Sequence, residues 1–322
     1  MSVLTTKQRD QFLENGYLVV ENVLDPAGDI APLIAEYSEV LDGIARSLSA
    51  RGAISSLYEE LGFVDRLIKV CEESGQNFSQ EFDIALPQRD VRFDTPIHVG
   101  PAVFGLLTNP HLLDVVEDII GPEIYSNPVQ HIRMKLPKRA VAKGKHNGLI
   151  SQIPWHQDNG VILPEADEST ILTVWMPLND ATIENGCLQV IPFSHKGDIV
   201  PHCPTDKGVA IPDQFIALER TVPLPMRAGS VLLMTQRTVH SSLDNITDNE
   251  VRLSFDLRYQ PVGQPTGRPA FPGFVARSAA HPESVLRDPF AWAQSWYDTR
   301  TRLAESDNPT FNRWKAGVGA CA

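Results

Sequence analysis

The sequence contains little cysteine and no long apolar run, and both absences narrow the class of protein. Its four cysteines, Cys71, Cys187, Cys203 and Cys321, are far apart among 322 residues and form no Cys-x-x-Cys pair. This spacing predicts buried or incidental thiols in a reducing cytosol rather than a disulfide framework. Because no uninterrupted apolar stretch approaches the roughly 20 residues of a membrane span, we expect no membrane partner. The first residues lack the apolar core of a signal peptide, which predicts a cytoplasmic protein.

Positive charge is also scarce. The chain has 28 lysines and arginines against 40 aspartates and glutamates, which gives a net charge of −12. That balance argues against nucleic acid as a partner and against binding to anionic membranes. The hydrophobic content of 42% is typical of a soluble globular protein. We find no internal repeat and no linker, so we expect a single domain over residues 1–322; the oligomeric state stays open.

Hydrophobic periodicity predicts a mainly helical front over residues 1–122. A first helix should end at Asn15-Gly16, because glycine accepts the left-handed conformation that terminates helices. A strand over 17–24 follows, and apolar residues at helical spacing predict helices over 29–49, 56–73 and 111–120. We expect these helices to cover one face of a sheet.

Strand patterns predominate over residues 123–262, with predicted strands at 130–136, 170–178, 187–191, 230–235 and 251–260. The last of these alternates between an apolar face and a polar face, which comprise Leu253, Phe255, Leu257 and Tyr259 against Arg252, Ser254, Asp256 and Arg258. A polar face inside a β structure is typical of a ligand-binding interior. We therefore expect an α+β, mainly β fold: a double-stranded β-helix (jelly roll, cupin-like) core with an α-helical jacket. Residues 263–322 should form a C-terminal loop and a helix over 289–303.

The motif with the clearest chemistry is His156-Gln157-Asp158 within Pro-Trp-His-Gln-Asp-Asn-Gly. In extended backbone, side chains two residues apart project from the same face, so an imidazole and a carboxylate can reach one point. His240 could provide a third ligand, and two histidines with one carboxylate are typical of non-haem Fe(II) oxygenases. A lone His-x-Asp is more often an ordinary surface or core histidine, so its interpretation depends on the surrounding sequence.

Three segments in order give that context: residues 155–158 (Trp-His-Gln-Asp), residues 188–196 (Leu-Gln-Val-Ile-Pro-Phe-Ser-His-Lys), and His240-Ser241-Ser242 with Asn245 and Arg252. Together they resemble the phytanoyl-CoA dioxygenase family of Fe(II)/2-oxoglutarate oxygenases, and the likeness extends from about residue 11 to residue 260. The resemblance implies that His156, Asp158 and His240 bind the iron, with 2-oxoglutarate and O2 taking the remaining positions.

The resemblance also implies a site for 2-oxoglutarate. An arginine about a dozen residues after the distal histidine would bind the remote carboxylate, and Arg252 follows His240 by twelve positions. Ser242, Thr173 and Trp175 match further positions of the cosubstrate site, and Lys135 or Gln130 could add a contact. A salt-bridged surface arginine is the alternative for Arg252, but strand alternation places it on the polar face.

The implied reaction is oxidative decarboxylation of 2-oxoglutarate to succinate and CO2, coupled to oxidation of a C–H bond by hydroxylation or desaturation. Halogenating relatives carry a small residue where Asp158 stands, so a carboxylate there favours C–H oxidation. The substrate should be a small molecule. A basic cluster, Lys135, Lys138, Arg139, Lys143 and Lys145, indicates either a pocket rim for an anionic substrate or a solvated lid. Arg258 could also meet a substrate carboxylate.

Two alternatives from other classes remain. A cupin-like protein could bind a metal or ligand without turnover, and it would make no succinate from 2-oxoglutarate. A hydrolase or isomerase could use a zinc-type metal in the same ligand set, and it would need neither O2 nor 2-oxoglutarate. The remaining histidines, including His195 and His202, are predicted not to bind the metal.

Overall fold

Helices form the front of the chain in the computed structural model, which describes residues 2–141, 152–205, 208–306, 309–315, 317 and 319–321. The helices are α1 (Thr6–Asn15), α2 (Ala31–Ala50), α3 (Phe63–Ser74), α4 (Ser79–Phe82), α5 (Pro101–Leu107), α6 (Pro110–Ile120) and, near the C-terminus, α7 (Pro289–Glu305). The mainly helical front that the sequence predicted is therefore present, although α3 begins seven residues later than expected.

Local chemistry explains where α1 begins and ends. Thr5 and Gln8 form a reciprocal capping box that satisfies free N–H groups of the first turn. Gly16 ends the helix with φ of 82°, a left-handed conformation in which most side chains are strained. In α2, Leu33, Tyr37 and Leu41 recur every four residues and are buried, as an amphipathic helix packed on a sheet requires.

Antiparallel strands form the centre of the molecule. The larger sheet has six strands in the order β1-β8-β3-β10-β2-β11. Their bounds are β1 (Tyr17–Val20), β2 (Ile124–Lys135), β3 (Leu172–Pro177), β8 (Val231–Thr235), β10 (Arg252–Pro261) and β11 (Phe274–Arg277). β10 lies between β2 and β3, so the strand with the predicted polar face is central.

A smaller sheet has three strands in the order β7-β4-β9: β7 (Val222–Leu224), β4 (Leu188–Val190) and β9 (His240–Ser242). A two-stranded ribbon joins β5 (Cys203–Thr205) to β6 (Gly208–Ala210). The strands β5, β6, β7, β9 and β11 were not predicted from the sequence. All five are only three or four residues long, too short for alternation to be recognised.

The two faces of β10 have the environments that alternation predicted. Leu253, Phe255, Leu257 and Tyr259 belong to the main hydrophobic core with the helices. The intervening Arg252, Ser254, Asp256 and Arg258 are also buried, but on the polar side. A second apolar cluster, which includes Trp175, Leu188 and Met234, draws residues from both sheets. Among the described ranges, no helix is both long and apolar enough to cross a bilayer.

The prediction of unpaired thiols is wrong for one pair of cysteines. Cys203 in β5 and Cys321 near the C-terminus form a disulfide. They are 118 residues apart in sequence, and nothing in their local spacing indicated that the fold brings them together. Cys71 and Cys187 are free and buried, as expected.

Candidate metal and cosubstrate site

His156 and His240 lie opposite each other across an antiparallel bridge. The N–H of each donates to the carbonyl of the other, both at 3.0 Å. The Nδ1 atoms are within 2.9 Å of the carbonyl oxygens of Pro154 and Thr238. These contacts place the hydrogen on Nδ1 and leave each Nε2 as a lone-pair donor for a metal.

Asp158 completes the group, although not on a regular strand. It is the first residue of a short 3-10 helix, Asp158–Val161, but Gln157 before it is extended, so the two-residue relationship with His156 holds. One ligand atom from each of His156, Asp158 and His240 lies within 4.8 Å of the others, and all three residues are buried. Two imidazoles and one carboxylate at this spacing fit an Fe(II) ion and leave coordination positions for other ligands.

Electrostatics keeps His156 and Asp158 in the protonation states that bind cations. Burial, together with the neighbouring His240, lowers the pKa of His156 to about 3, so its imidazole is neutral at pH 7. Burial would raise the pKa of Asp158, but Arg258 and the two imidazoles outweigh it and the pKa is lowered. The carboxylate is therefore ionised without a metal.

A buried ion-pair network holds Asp158. Arg258 Nη2 lies 2.6 Å from Asp158 Oδ1, and Arg258 Nη1 lies 3.0 Å from Asp256 Oδ1. The Thr173 hydroxyl donates to Asp158 Oδ2. The suggestion that Arg258 meets a substrate carboxylate is thus not supported, because two protein carboxylates already neutralise it. Alternation gave the correct face for this arginine but could not reveal its partner.

Thr173→Val should weaken Fe(II) binding about tenfold, because it removes the hydroxyl that orients Asp158 while keeping the side-chain shape and charge. Anaerobic Fe(II) titration monitored by calorimetry measures the change. Thr173→Ser is the matched control, since it keeps the hydroxyl and should bind Fe(II) nearly as the parent does. Equal Fe(II) affinity in the valine and serine variants would show that this hydrogen bond does not support the metal site.

Two buried basic side chains, Arg252 and Lys135 (the cation pair), form a second cluster beside the first. Arg252 lies with its guanidinium carbon 5.4 Å from the centre of the Trp175 ring, and its Nη1 donates to Ser254 Oγ at 2.5 Å. Lys135 Nζ donates to Ser242 Oγ at 2.6 Å and to the carbonyl of Leu243. In the part of the chain that the structure describes, neither cation has a carboxylate at salt-bridge distance.

The pKa values of both side chains are lowered because each is buried without a counter-ion. Burial and the neighbouring Arg252 lower the pKa of Lys135 to about 6. Burial and Arg133 lower the pKa of Arg252 to about 9. Arg252 Nε is buried without a hydrogen-bond partner among the described residues. Buried charges are costly unless they are paired, so this cluster fits an anionic ligand such as a carboxylate.

Gly186 allows Lys135 to reach this position. Its φ is +93°, and a Cβ there would lie 2.7 Å from Lys135 Cδ and 2.6 Å from the Leu243 carbonyl oxygen. Both contacts are shorter than a side chain tolerates. The glycine therefore serves both the turn predicted from the sequence and the close approach of the lysine.

Other residues of the sequence prediction lie elsewhere. Gln130 Nε2 donates to Ser126 Oγ at 2.7 Å, and in the described ranges Gln130 has no side-chain hydrogen bond with either cluster. Of the basic cluster, Lys135 is buried in the cation pair, whereas Arg139 is exposed and pairs with Glu72. Lys143 and Lys145 lie outside the described residues.

A cavity of about 940 Å³ reaches the metal-binding group at His156. Arg258 and Arg268 also line it, and Phe311 and Trp314 of the C-terminal segment contribute aromatic surface. Trp314 Nε1 donates to the carbonyl of Gly160 at 2.6 Å, next to the metal-binding segment. The sequence indicated no role for Arg268 or Trp314, because both lie in irregular segments without a recognisable period.

His202 supports the metal-binding segment from outside the ligand group. Its Nε2 accepts the N–H of Gln157 at 2.8 Å, and its ring stacks on Trp314 with centroids 5.5 Å apart. Burial lowers the pKa of His202 to about 4, so the ring is neutral and can accept this hydrogen bond. His202 is not among the three grouped ligands.

The sequence profile of one family, phytanoyl-CoA dioxygenase (PhyH), matches residues 12–253. The chain belongs to the phytanoyl-CoA dioxygenase family. This match confirms the family resemblance. The chain is 28% identical over 265 residues to phytanoyl-CoA dioxygenase domain-containing protein 1 of Danio rerio. The alignment covers 77% of this chain and 87% of the relative. It is 26% identical over 253 residues to phytanoyl-CoA dioxygenase of Arabidopsis thaliana, with coverages of 76% and 84%.

Solved structures that resemble this phytanoyl-CoA dioxygenase family member share its fold. The non-heme monooxygenase ThoJ superposes with a TM-score of 0.58 at 19% identity, over 92% of this chain and 98% of ThoJ. EctD from S. alaskensis, solved with 2-oxoglutarate and 5-hydroxyectoine, gives a TM-score of 0.52 at 20% identity, over 81% of this chain and 77% of EctD. At these identities the likeness concerns the fold alone.

Proposed function

We propose that the protein is a non-haem Fe(II)/2-oxoglutarate-dependent dioxygenase that oxidises a C–H bond of a small organic substrate by hydroxylation or desaturation. The observation that carries this proposal is the grouping of His156, Asp158 and His240, with His156 at the wall of a large cavity. Family membership supports the same class of reaction. Among the structural relatives, SnoN is described in complex with Fe3+ and alpha ketoglutarate, and EctD with 2-oxoglutarate.

The iron would be held by His156 Nε2, His240 Nε2 and one oxygen of Asp158. When bound with 2-oxoglutarate and O2, it supplies the oxidising power for cleavage of a C–H bond, with release of succinate and CO2. The chain itself fixes the imidazole tautomers through Pro154 and Thr238. It fixes the carboxylate through Thr173 and Arg258.

The cation pair would hold the distal carboxylate of 2-oxoglutarate. Arg252 can offer two parallel N–H donors, Lys135 a point charge, and Ser242 a hydroxyl. Trp175 limits the movement of the guanidinium by stacking on it. A carboxylate in this position would neutralise charge that is otherwise buried without a partner, which favours binding of the dicarboxylate over a neutral ketone.

The fold agrees with this role. We propose that the six-stranded and three-stranded sheets are the two halves of a double-stranded β-helix, with the bridge between His156 and His240 at its open end. We also propose that residues 1–322 form a single oxygenase domain, because the main apolar core includes residues from Leu4 to Phe311.

The test is turnover of 2-oxoglutarate by the purified full-length chain. Anaerobic addition of Fe(II) and 2-oxoglutarate should produce the charge-transfer absorption of their chelate, and admission of air should then yield succinate, quantified by mass spectrometry. Products from a panel of small molecules are screened in parallel for one added oxygen or the loss of two hydrogens. Omission of Fe(II), 2-oxoglutarate or O2 should each abolish succinate formation.

The two alternatives predict different results. Binding of metal and 2-oxoglutarate without succinate in any panel reaction would favour a binding protein. Substrate conversion under argon, without 2-oxoglutarate, would favour a hydrolase or isomerase. Either outcome would exclude the dioxygenase.

A further inference from the structure

Arg268 is a buried cation at the cavity wall that the proposed catalytic groups do not use. Its side chain is 3% exposed, and it lines the cavity that also contains His156. Nη2 donates to the carbonyl of Val161 at 2.8 Å, and the guanidinium lies 5.3 Å from the centre of the Phe311 ring. Nε is buried without a hydrogen-bond partner in the described part of the chain.

The other cations of this cavity wall differ from Arg268. Arg89 is exposed to solvent, whereas the buried and half-buried basic side chains each have an acidic partner: His131 pairs with Asp83 at 2.9 Å, Arg133 with Asp256 at 3.0 Å, and Arg258 with Asp158 and Asp256. Within the described ranges, Arg268 has no carboxylate at ion-pair distance. Burial and the adjacent Arg258 lower its pKa to about 10, so it remains charged at pH 7. A buried charge without a partner is unfavourable, and an anion that enters the cavity would relieve it.

The rest of the cavity wall indicates the chemistry of the group that carries the negative charge. Phe311, Trp314, Val129 and Val161 line the same cavity and provide apolar and aromatic surface, and Phe311 and Val161 contact the guanidinium itself. A volume of about 940 Å³ is at the upper end of the range for drug-sized ligands. One unpaired guanidinium matches one negative charge, which favours a carboxylate over a doubly charged phosphate.

We propose that Arg268 binds a carboxylate of the substrate, and that the substrate is an organic acid with an apolar or aromatic body packed between Phe311 and Trp314. This inference rests on the proposed function, since it takes the cavity beside the metal ligands as the substrate site. It makes Arg268 a specificity-determining residue, distinct from Arg252, which would hold the cosubstrate.

The test compares matched acids and amides. Phenylacetate with phenylacetamide, and naphthoate with naphthamide, are titrated by calorimetry under argon into protein saturated with Fe(II) and 2-oxoglutarate, so that the cosubstrate site is already filled. For at least one pair the parent should bind the acid about tenfold or more tightly than the amide, because a charge-assisted pair forms only with the acid. In Arg268→Gln the ratio should fall to about one while amide affinity is unchanged. Arg268→Lys should retain part of the preference.

Arg302→Gln is the matched control. Arg302 is an exposed arginine of α7 whose Nη2 donates to the carbonyl of Ala270, outside the cavity lining. It should keep the full ratio. Arg268→Gln should unfold at a temperature no lower than the parent, because it removes an unpaired buried charge, so the titration reads a folded protein.

Two outcomes would overturn the inference: no acid preference in the parent for any pair, or an unchanged ratio in Arg268→Gln. Failure of the dioxygenase proposal is separate, since the titration involves no turnover. Succinate formation by a parent that shows no acid preference would retain the function and refute the role of Arg268. If the acid preference depends on Arg268 but the protein makes no succinate, the role of Arg268 would be retained and the dioxygenase function would be refuted.

Discussion

Asp158→Asn should lower Fe(II) affinity more than 100-fold and abolish formation of succinate. Asparagine keeps the size of the side chain, but it has one acceptor oxygen where Asp158 offers one oxygen to Thr173 and the other to Arg258, and it removes the anionic metal ligand. Loss of groups that only support a ligand costs 10–100-fold in metal affinity, so loss of the ligand itself should exceed that range. Anaerobic Fe(II) titration gives the affinity, and mass spectrometry gives succinate.

A stability measurement provides an independent readout of the same change. A ligand at 100 times its Kd stabilises a protein by about 2.7 kcal/mol. Urea unfolding should therefore show this gain for the parent at that Fe(II) concentration and almost none for Asp158→Asn. Asp114→Asn is the matched control, because Asp114 pairs with Arg277 on the surface. An Asp158→Asn variant that binds Fe(II) as tightly as the parent would refute the metal site.

Arg252→Gln should raise the Kd for 2-oxoglutarate about 100-fold and leave Fe(II) binding within about twofold of the parent. The expected size follows from a bidentate, charge-assisted pair in a site shielded from water, where one such interaction contributes up to about 3 kcal/mol. The guanidinium of Arg252 has no carboxylate at salt-bridge distance among the described residues, so glutamine should not destabilise the protein without ligand. Titration of 2-oxoglutarate into the Fe(II)-loaded protein, followed at the charge-transfer band, measures the change.

The controls for Arg252 separate charge from geometry. Arg252→Lys keeps the charge but loses the planar pair of donors, so its affinity should fall between those of the parent and the glutamine variant. Arg302→Gln, an exposed substitution, should bind 2-oxoglutarate as the parent does. If Arg252→Gln and the parent require the same concentration of 2-oxoglutarate, the assignment of the cosubstrate site is wrong.

The sequence predicted features that depend on residues close together in the chain or on regular strand alternation. His156 and Asp158 are two residues apart, so their proximity follows from backbone geometry alone. Strand alternation over 252–259 separated the core face from the polar face without any structure. The position of His240 depended on the family resemblance, because its contact with His156 spans 84 residues of chain.

The sequence was uninformative where the fold alone makes the contact. The pairing of Arg258 with Asp158 joins residues 100 apart, and the disulfide joins residues 118 apart. Arg268 follows β10 in a segment rich in proline and glycine, where no period exists from which to infer a face. The environment of Arg268 depends on Phe311 of the C-terminal segment, and no sequence pattern connects these two residues.

The pKa of about 6 for Lys135 has a consequence for pH. Near neutral pH this amine is mostly uncharged in the protein without ligand, and an adjacent carboxylate would favour the ammonium form. Capture of a dicarboxylate would then draw a proton from the solvent above pH 6, and affinity would decline as the medium becomes more alkaline. Below pH 6 the ammonium is already formed, so this dependence would disappear. Binding of the cosubstrate and protonation of Lys135 would thus be two linked equilibria.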